Sequence, residues 1–229
     1  MRTRVDYVGH DRAPVIVVDD VWPDADALFE HAASRTDYGA SSLYYPGVRC
    51  AAPAEYARAI VASVDTLIHE ALGIQGQLDI TDSVISLVVT PPEKLVPFQR
   101  VPHYDSTDPN RVAVLHYLCA SGGTSFYRHR STGTETVTAA AEHDYIRRVN
   151  AEVRTTGLPP ARYVEGDSDL FERTARYDAA FNRALIYRGN LLHSVNVPAD
   201  FLPDPDPRTG RLSVNTFLLA TGPQAGGIQ

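Results

Sequence analysis

The sequence contains little cysteine and no long apolar run. Cys50 and Cys119 are too few for a disulfide framework, so two reduced thiols are expected. No uninterrupted apolar stretch approaches the roughly 20 residues that cross a bilayer, and residues 1–20 lack the apolar h-region of a signal peptide. We therefore expect a cytoplasmic protein without a membrane partner.

Lysine is also scarce, since Lys94 is the one lysine among 21 basic residues. The 28 acidic residues give a net charge of −7. Nucleic-acid phosphates attract basic surfaces, so this charge argues against a nucleic-acid partner. The composition, 44% hydrophobic and 21% charged, is ordinary for a globular protein. The length fits one domain, residues 1–229, and a homodimer is compatible with the sequence.

Helical patterns concentrate in residues 1–75, which we expect to form a mainly helical buttress. Residues 14–19 predict a short strand, and residues 24–34 predict a helix with an aspartate at its start. Residues 53–72 give the clearest helix, with Pro53 at the beginning and apolar residues three and four positions apart. The intervening "SSLYYPGVRC" is interpreted as a loop.

Residues 76–220 predict a β-core instead. Short β-branched or aromatic segments alternate there with turn residues; they are LDITDSVISLVVT, KLVPFQRVPHYD, RVAVLHYLC, TSFYRHR, RALIYRGN, LHSVNV and RLSVNTFLL. A helical insertion is expected near residues 138–156, and a second helix or ordered loop at 166–175. The fold class is therefore α+β, with an antiparallel sandwich or barrel.

The candidate chemistry begins with the H-x-D pair His103 and Asp105. Residues i and i+2 of a strand project to the same face, so both side chains can reach one point. His193 offers a third ligand. Two imidazoles and one carboxylate make the facial triad of non-haem Fe(II) oxygenases, which leaves coordination positions open. Zinc remains a rival metal for the same ligands.

The order of motifs resembles the Fe(II)/2-oxoglutarate-dependent dioxygenase superfamily, in particular its small prolyl-4-hydroxylase-like branch. The matching segments run from about residue 83 to 219; they are HYD, RVAVLHYL, GGTSFY, LIYRGNLLHSV and GRLSVNTFLL. The resemblance implies a double-stranded β-helix core of the jelly-roll or cupin type, buttressed by the N-terminal helices. It also implies Fe(II), 2-oxoglutarate and dioxygen (O2) as cofactor and co-substrates.

The resemblance assigns His103, Asp105 and His193 as iron ligands. It makes Arg211 the partner of the distal 2-oxoglutarate carboxylate, with help from the Tyr117 and Thr216 hydroxyls. A guanidinium suits that role because it is planar, permanently charged and bidentate. The family's basic residue lies about ten positions after the distal histidine, whereas Arg211 follows an insertion that also contains Arg208. Arg208 is the competing candidate. From their positions, Arg188 and Asn190 either contact substrate or cap a turn, and Arg128 either contacts an acidic substrate or lies on the surface. Tyr45 either forms a lid with Arg49 that contacts substrate or has an aromatic packing role.

The implied activity is hydroxylation of an unactivated C–H bond in a small molecule, such as an amino acid or a biosynthetic intermediate. Related halogenases replace the carboxylate ligand with a small residue, so Asp105 favours hydroxylation over halogenation. Desaturation, ring closure and epimerisation use the same triad and stay open. Two other classes also stay open: a cupin-like metal-binding or ligand-binding protein, and a metalloenzyme that does not use 2-oxoglutarate.

Overall fold

The computed structural model describes residues 1–40, 44–198 and 200–222. Within these ranges the three α-helices are α1 (Ala25–Ser34), α2 (Ala54–Leu72) and α3 (Glu142–Thr156). The strands are β1 (Arg2–Val8), β2 (Ala13–Asp19), β3 (Gly39–Ala40), β4 (Gly47–Ala51), β5 (Gln77–Val88), β6 (Arg111–Tyr117), β7 (Gly123–His129), β8 (Phe171–Asp178), β9 (Arg183–Arg188), β10 (His193–Asn196) and β11 (Arg211–Thr221). None of the helices described is long and apolar enough to span a membrane.

The strands form a large and a small antiparallel sheet. In the described residues the large sheet has the order β1-β2-β9-β6-β11-β5-β4-β3, and the small sheet has the order β10-β7-β8. The two ends of the large sheet are built from consecutive strands, β1–β2 and β3–β4–β5, whereas β9, β6 and β11 at its centre come from distant parts of the sequence. This crossing connectivity brings the β9–β10 turn next to the segment that precedes β6.

One face of the large sheet packs against α1 and α2. Ile60 and Ile68 of α2 are fully buried in one apolar cluster with Leu212 and Val214 of β11. A polar group is built into this layer at His116, whose Nδ1 accepts a hydrogen bond from the Tyr56 hydroxyl at 2.8 Å. Burial lowers the pKa of His116 to about 4, so this histidine is neutral and structural.

The other face of the large sheet faces the small sheet. Phe126 of β7 and Tyr177 of β8 share an apolar cluster with Leu115 and Leu185 of the large sheet. The residues of β11 that alternate with Leu212 and Val214 point into this space between the sheets. We call this side of the large sheet the inner face.

The structure agrees with the predicted helices and corrects three predictions. Pro53 and Gly73 bracket α2 as expected, and Gly73 adopts the left-handed conformation that ends helices (φ 62°). The segment KLVPFQRVPHYD is wrong as a strand, because its prolines favour the two 3-10 turns Pro92–Lys94 and Pro97–Arg100. Residues 166–175, predicted as a helix or loop, enter strand β8. The N-terminal buttress also contributes β1 to β4, which the sequence interpretation underestimated.

Candidate metal centre

His103, Asp105 and His193 come together between the sheets. One ligand atom from each residue lies within 4.8 Å of the others, the one such group found among the described residues. Asp105 Oδ1 lies 4.0 Å from His103 Nε2, and Asp105 Oδ2 lies 3.7 Å from His193 Nε2. These separations leave room for one ion at the centre of three donors.

Main-chain hydrogen bonds hold the cluster, although His103 and Asp105 lie outside any regular strand. His103 and His193 exchange both N–H···O bonds, at 2.9 and 2.8 Å, as paired residues of an antiparallel bridge do. The Asp105 N–H donates to the Gly189 carbonyl at 2.7 Å. A side chain at Gly189 would place its Cβ 3.3 Å from Asp105 Cβ, so glycine permits this close approach.

Each of the two histidines has a ring nitrogen on the side of Asp105. His193 Nδ1 donates to the Leu191 carbonyl at 2.8 Å, which leaves the Nε2 lone pair free on the side of Asp105. The His193 ring packs edge-on against Tyr187, with 5.0 Å between the ring centroids. Burial lowers the pKa of His103 well below its usual value, and the positive charges of His193 and Arg49 act in the same direction.

Burial raises the pKa of Asp105, whereas His193, Arg111 and Arg49 act in the opposite direction. The side chain of Asp105 is 19% exposed. Among the described residues, this partly exposed carboxylate has no ion pair shorter than 3.7 Å. A bound cation would supply the missing compensation.

Arg211 lies deep between the sheets at a distance from this cluster. It is 2% exposed, and its Nη2 donates to the Gly123 carbonyl at 2.7 Å. Gly123 lies three residues along β7 from Phe126, the partner of His193 in the sheet register. At about 3.3 Å per residue this is about 10 Å of strand.

The surroundings of Arg211 contain polar atoms without partners. Its Nε is buried and has no hydrogen-bond partner in the described part of the chain. The guanidinium lies over the Tyr117 ring at 5.7 Å, and the Tyr117 hydroxyl is hydrogen-bonded to Thr124 Oγ1 at 2.7 Å. Gly122, at φ +74°, gives the arginine space, because a Cβ there would lie 3.2 Å from Arg211 Nε.

Tyr45 belongs to the same end of the pocket. Its hydroxyl is buried near the Ser86 side chain without a hydrogen bond of good geometry to the described residues, and its ring packs with Val88 and Val197. Burial raises the pKa of Tyr45, and the nearby positive charge of Arg211 opposes that shift. Arg49 stacks on the ring at 4.0 Å. We therefore place Tyr45 beside Arg211 rather than on the protein surface.

Arg208, the competing candidate, is on the surface. Its Nη1 and Nη2 donate to the two Glu30 carboxylate oxygens, both at 2.8 Å, and its side chain is 49% exposed. A guanidinium already held by an acid on the surface is not available to the pocket. Of the two arginines, Arg211 is the one between the sheets.

The structure contradicts the roles assigned to Thr216 and Arg188. Thr216 is five positions from Arg211 in β11 and lies on the opposite, helix-packed face, where its hydroxyl is hydrogen-bonded to Ser83 Oγ at 2.8 Å. Arg188 lies on that face as well, because it is two positions after the buried Ile186 in β9. Its guanidinium donates to the carbonyls of Leu72 and Pro109. Both side chains are structural.

The two remaining predicted substrate residues have different surroundings. Arg128 forms ion pairs with Glu135 at 3.7 Å and Glu172 at 3.9 Å, at the end of β7 beyond His193. Its charge is therefore already compensated. Asn190 is 2% exposed, and its Oδ1 has no partner among the residues described. Asn190 directly follows Gly189, which accepts the Asp105 hydrogen bond.

Sequence reasoning missed Arg111 and Tyr187, and it did not place Arg49 near Asp105. Arg49 was read as part of a loop, but it lies on the inner face of β4 and acts electrostatically on Asp105. Arg111 opens β6, and a Cβ on Gly189 would lie 3.2 Å from its Cγ. Tyr187 packs against His193. Alternation along β6 and β9 could have identified Arg111 and Tyr187, whereas no signal marked Arg49.

Comparisons with solved structures find the same fold. HygX from Streptomyces hygroscopicus with nickel and 2-oxoglutarate bound superposes with a TM-score of 0.52, at 13% identity over 92% of this chain and 84% of that chain. AviO1 from Streptomyces viridochromogenes Tue57 gives 0.51, at 14% identity over 93% of each chain. HygX with iron bound gives 0.50, at 11% identity over 92% of this chain and 84% of that chain.

At 11–14% identity, these likenesses show that the chain shares the fold of HygX and AviO1. No curated protein matches the sequence. The model of a family of unknown function, DUF6445, matches residues 1–218, so this chain is a member of the DUF6445 family.

Proposed function

We propose that this protein is an Fe(II)- and 2-oxoglutarate-dependent oxygenase that hydroxylates a C–H bond of a small molecule. The observation that carries the proposal is a His-Asp-His cluster combined with a deeply buried arginine in the same space between two sheets. The arrangement of the two antiparallel sheets supports the double-stranded β-helix assignment. A cupin-like binding protein would have no need for the buried arginine.

The three donors fit Fe(II). Two neutral imidazoles and one carboxylate are the facial set of non-haem iron oxygenases, which leaves three positions for other ligands. The Leu191 carbonyl fixes the His193 tautomer, and the His103–His193 bridge fixes the relative positions of both rings. Such outer contacts orient metal ligands and tune their basicity.

The pocket around Arg211 fits the distal carboxylate of 2-oxoglutarate. A buried guanidinium without an acid partner is unfavourable, and a carboxylate that bridges two of its N–H groups removes the cost. The unpartnered Arg211 Nε and Tyr45 hydroxyl are the available donors, with the Tyr117 hydroxyl beside them. We therefore propose that Tyr45 contacts 2-oxoglutarate rather than the primary substrate.

When bound, Fe(II) would activate O2, the oxidant; one oxygen atom would enter succinate as 2-oxoglutarate is oxidised and loses CO2, and the other would enter the substrate C–H bond. His103, Asp105 and His193 hold the metal, and Arg211 sets the direction of the co-substrate. Phe126, Tyr187 and Leu115 line the interior near the metal and limit the access of water. Asp105 fills the position at which a halide would have to bind, which favours hydroxylation over halogenation.

An anaerobic titration with Fe(II) and 2-oxoglutarate tests the proposal. We expect a visible charge-transfer band in the wild-type protein. His193→Ala removes a metal ligand and should abolish the band, whereas His143→Ala, at a side chain that is 87% exposed, should leave it unchanged. Thermal melting of both variants checks that they fold. Tight retention of zinc with no band in the wild type would contradict the proposal.

A further inference from the structure

We propose that the primary substrate carries an oxyanion, a carboxylate or a phosphate, and that Arg49 and Arg111 bind it beside the metal. This inference rests on the proposed oxygenase function and deepens it by naming the class of substrate. Both arginines act electrostatically on Asp105, and neither has an acid partner in the described residues.

Arg49 projects from β4 onto the inner face of the large sheet. Its neighbours Val48 and Cys50 pack on the helix side, so alternation directs Arg49 towards the pocket. Its Nε donates to Ser86 Oγ at 3.1 Å, and its guanidinium stacks on Tyr45. These contacts fix the side chain without using its Nη atoms or neutralising its charge.

The surface beside Arg49 is polar although it is buried. The sheet register places Arg49, Ser86, Ser213 and Tyr117 in one row across β4, β5, β11 and β6. Ser86 and Ser213 are buried at 0% and 1% exposure. Ser213 donates to Asn215 Oδ1 at 3.1 Å. Such a row suits a ligand with hydrogen-bonding groups better than a hydrocarbon.

Arg111 approaches Asp105 from the first residue of β6. Its aliphatic part and Asp105 Cβ both lie against Gly189, because a Cβ there would be 3.2 Å from Arg111 Cγ and 3.3 Å from Asp105 Cβ. The guanidinium lies 5.7 Å from the centre of the Phe217 ring, and its Nε is buried without a partner in the part of the chain described. Arg183 differs from Arg111 in this respect, because its Nε forms an ion pair with Asp19 Oδ1 at 2.6 Å.

With Fe(II) and 2-oxoglutarate bound, the positive charges of Arg49 and Arg111 are the ones that stay unbalanced at the site. The two positive charges of Fe(II) and the one of Arg211 are balanced by Asp105 and by the two carboxylates of 2-oxoglutarate. Exposed Asp82 attracts Arg49 at longer range, but neither Arg49 nor Arg111 forms an ion pair with an acid of the described residues, and an unpaired charge in a partly desolvated space is unfavourable. A substrate oxyanion restores the balance and brings the rest of the molecule to the metal. Guanidinium groups bind carboxylate and phosphate oxygens with strong, directional hydrogen bonds.

The test uses the anaerobic complex with Fe(II) and 2-oxoglutarate and a panel of matched compounds. Amino acids are paired with their primary amides, and phosphate monoesters with the parent alcohols, so that the two arms distinguish the carboxylate from the phosphate. The shift of the charge-transfer band measures binding, and succinate release in air measures turnover. We expect at least one anionic compound to respond and its neutral counterpart to bind about tenfold or more weakly, the loss for a charged hydrogen bond.

Arg49→Gln and Arg111→Gln should each raise the half-saturating concentration of that compound about tenfold or more. The affinity for 2-oxoglutarate, measured from the same band without substrate, should stay within about twofold of wild type. Arg147→Gln, at a side chain that is 70% exposed, is the matched control and should change neither value.

Three results would overturn the inference. In the first, neutral compounds bind as well as anions, or no anion responds. In the second, both variants bind the compound like wild type. In the third, Arg49→Gln and Arg111→Gln weaken 2-oxoglutarate itself, which would assign them to the co-substrate. Absence of the band in wild type is a different failure, because it removes the proposed function along with the inference.

Discussion

The two faces of strand β11 have opposite characters. Leu212, Val214 and Leu218 are fully buried against the helices and neighbouring strands. Arg211, Ser213 and Asn215 alternate with them on the inner face, and Arg211 Nε has no partner within the described residues. The same strand therefore contributes hydrophobic stabilisation on one side and unsatisfied polar groups on the other. Substitutions on the two faces should have separable effects.

This division explains how the polar inner face is tolerated. A buried polar atom without a partner costs about 1–3 kcal/mol, and the unpartnered atoms include Arg211 Nε, Arg111 Nε and Tyr45 Oη. Full burial of one large aliphatic side chain contributes about 1.5–3 kcal/mol. The helix-packed face has many such residues, so it offsets the inner face. A ligand that forms hydrogen bonds with these unpartnered atoms removes that cost, and this contributes to its binding free energy.

The largest effect is expected from Arg211→Leu. It removes the buried cation that we assign to the distal carboxylate, and loss of one partner of a buried charge pair costs about 2–5 kcal/mol. The affinity for 2-oxoglutarate should fall about 30-fold or more, measured from the charge-transfer band. The free energy of unfolding should not fall, because an unpaired buried charge is replaced by an apolar side chain.

Arg208→Leu is the matched control for this change. Arg208 pairs with Glu30 on the surface, so its loss should alter the unfolding free energy by about 0–1 kcal/mol and leave the 2-oxoglutarate affinity unchanged. If Arg208→Leu weakens 2-oxoglutarate and Arg211→Leu does not, the carboxylate assignment is wrong.

Ile60→Ala tests the opposite face. Ile60 of α2 is fully buried, and truncation leaves a cavity against the large sheet. We expect the free energy of unfolding to fall by about 2–5 kcal/mol in urea denaturation. The affinities for Fe(II) and 2-oxoglutarate should stay at wild-type values under folding conditions. A large loss of either affinity would show that the two faces are coupled.

Tyr45→Phe should have a smaller effect, confined to the co-substrate. Loss of a single neutral hydrogen bond costs about 0.5–1.5 kcal/mol, so the affinity for 2-oxoglutarate should fall about 2–12-fold with unchanged Fe(II) affinity. Tyr163→Phe is the control, because the Tyr163 hydroxyl donates to the Thr90 carbonyl at 2.7 Å in the same apolar cluster. Equal effects of the two variants on 2-oxoglutarate would argue against a direct contact by Tyr45.

Thr216→Val gives the smallest expected change in binding. The hydroxyl is hydrogen-bonded to Ser83 on the helix-packed face, so the unfolding free energy should fall by about 1 kcal/mol. The 2-oxoglutarate affinity, measured by the anaerobic titration, should stay within about twofold. A tenfold loss of that affinity would place Thr216 on the inner face and contradict the alternation described here.

Much of the site could be predicted from the sequence because its residues occur in a recognisable order. His103, Asp105 and His193 were assigned from the order of the motifs, although the strand predicted to carry His103 and Asp105 does not form. The error at Thr216 was avoidable. Arg211 and Thr216 are an odd number of positions apart in one strand, so they cannot share a face unless a bulge intervenes. The register shift between β11 and β5 lies later, between Phe217 and Leu218, and its extra residue, Thr81, belongs to β5.

Other features depend on contacts that the sequence does not encode locally. Phe171–Asp178 contains arginine, glutamate and threonine, and it becomes strand β8 through pairing with β7 rather than through apolar alternation. Arg49 follows Pro46 and Gly47, which indicate a turn, yet β4 pairs with β5 and directs Arg49 inwards. Pairing partners distant in sequence determine both outcomes.

The reciprocal hydrogen bonds between His103 and His193 have a thermodynamic consequence. They join main-chain atoms, so the fold sets the relative positions of the two backbone segments that carry the imidazoles. Metal binding therefore has to order little of the chain, and the entropic cost of ordering takes little from the binding free energy. Most of it adds to the stability of the native state by mass action, about 2.7 kcal/mol at a free metal concentration of a hundred times Kd.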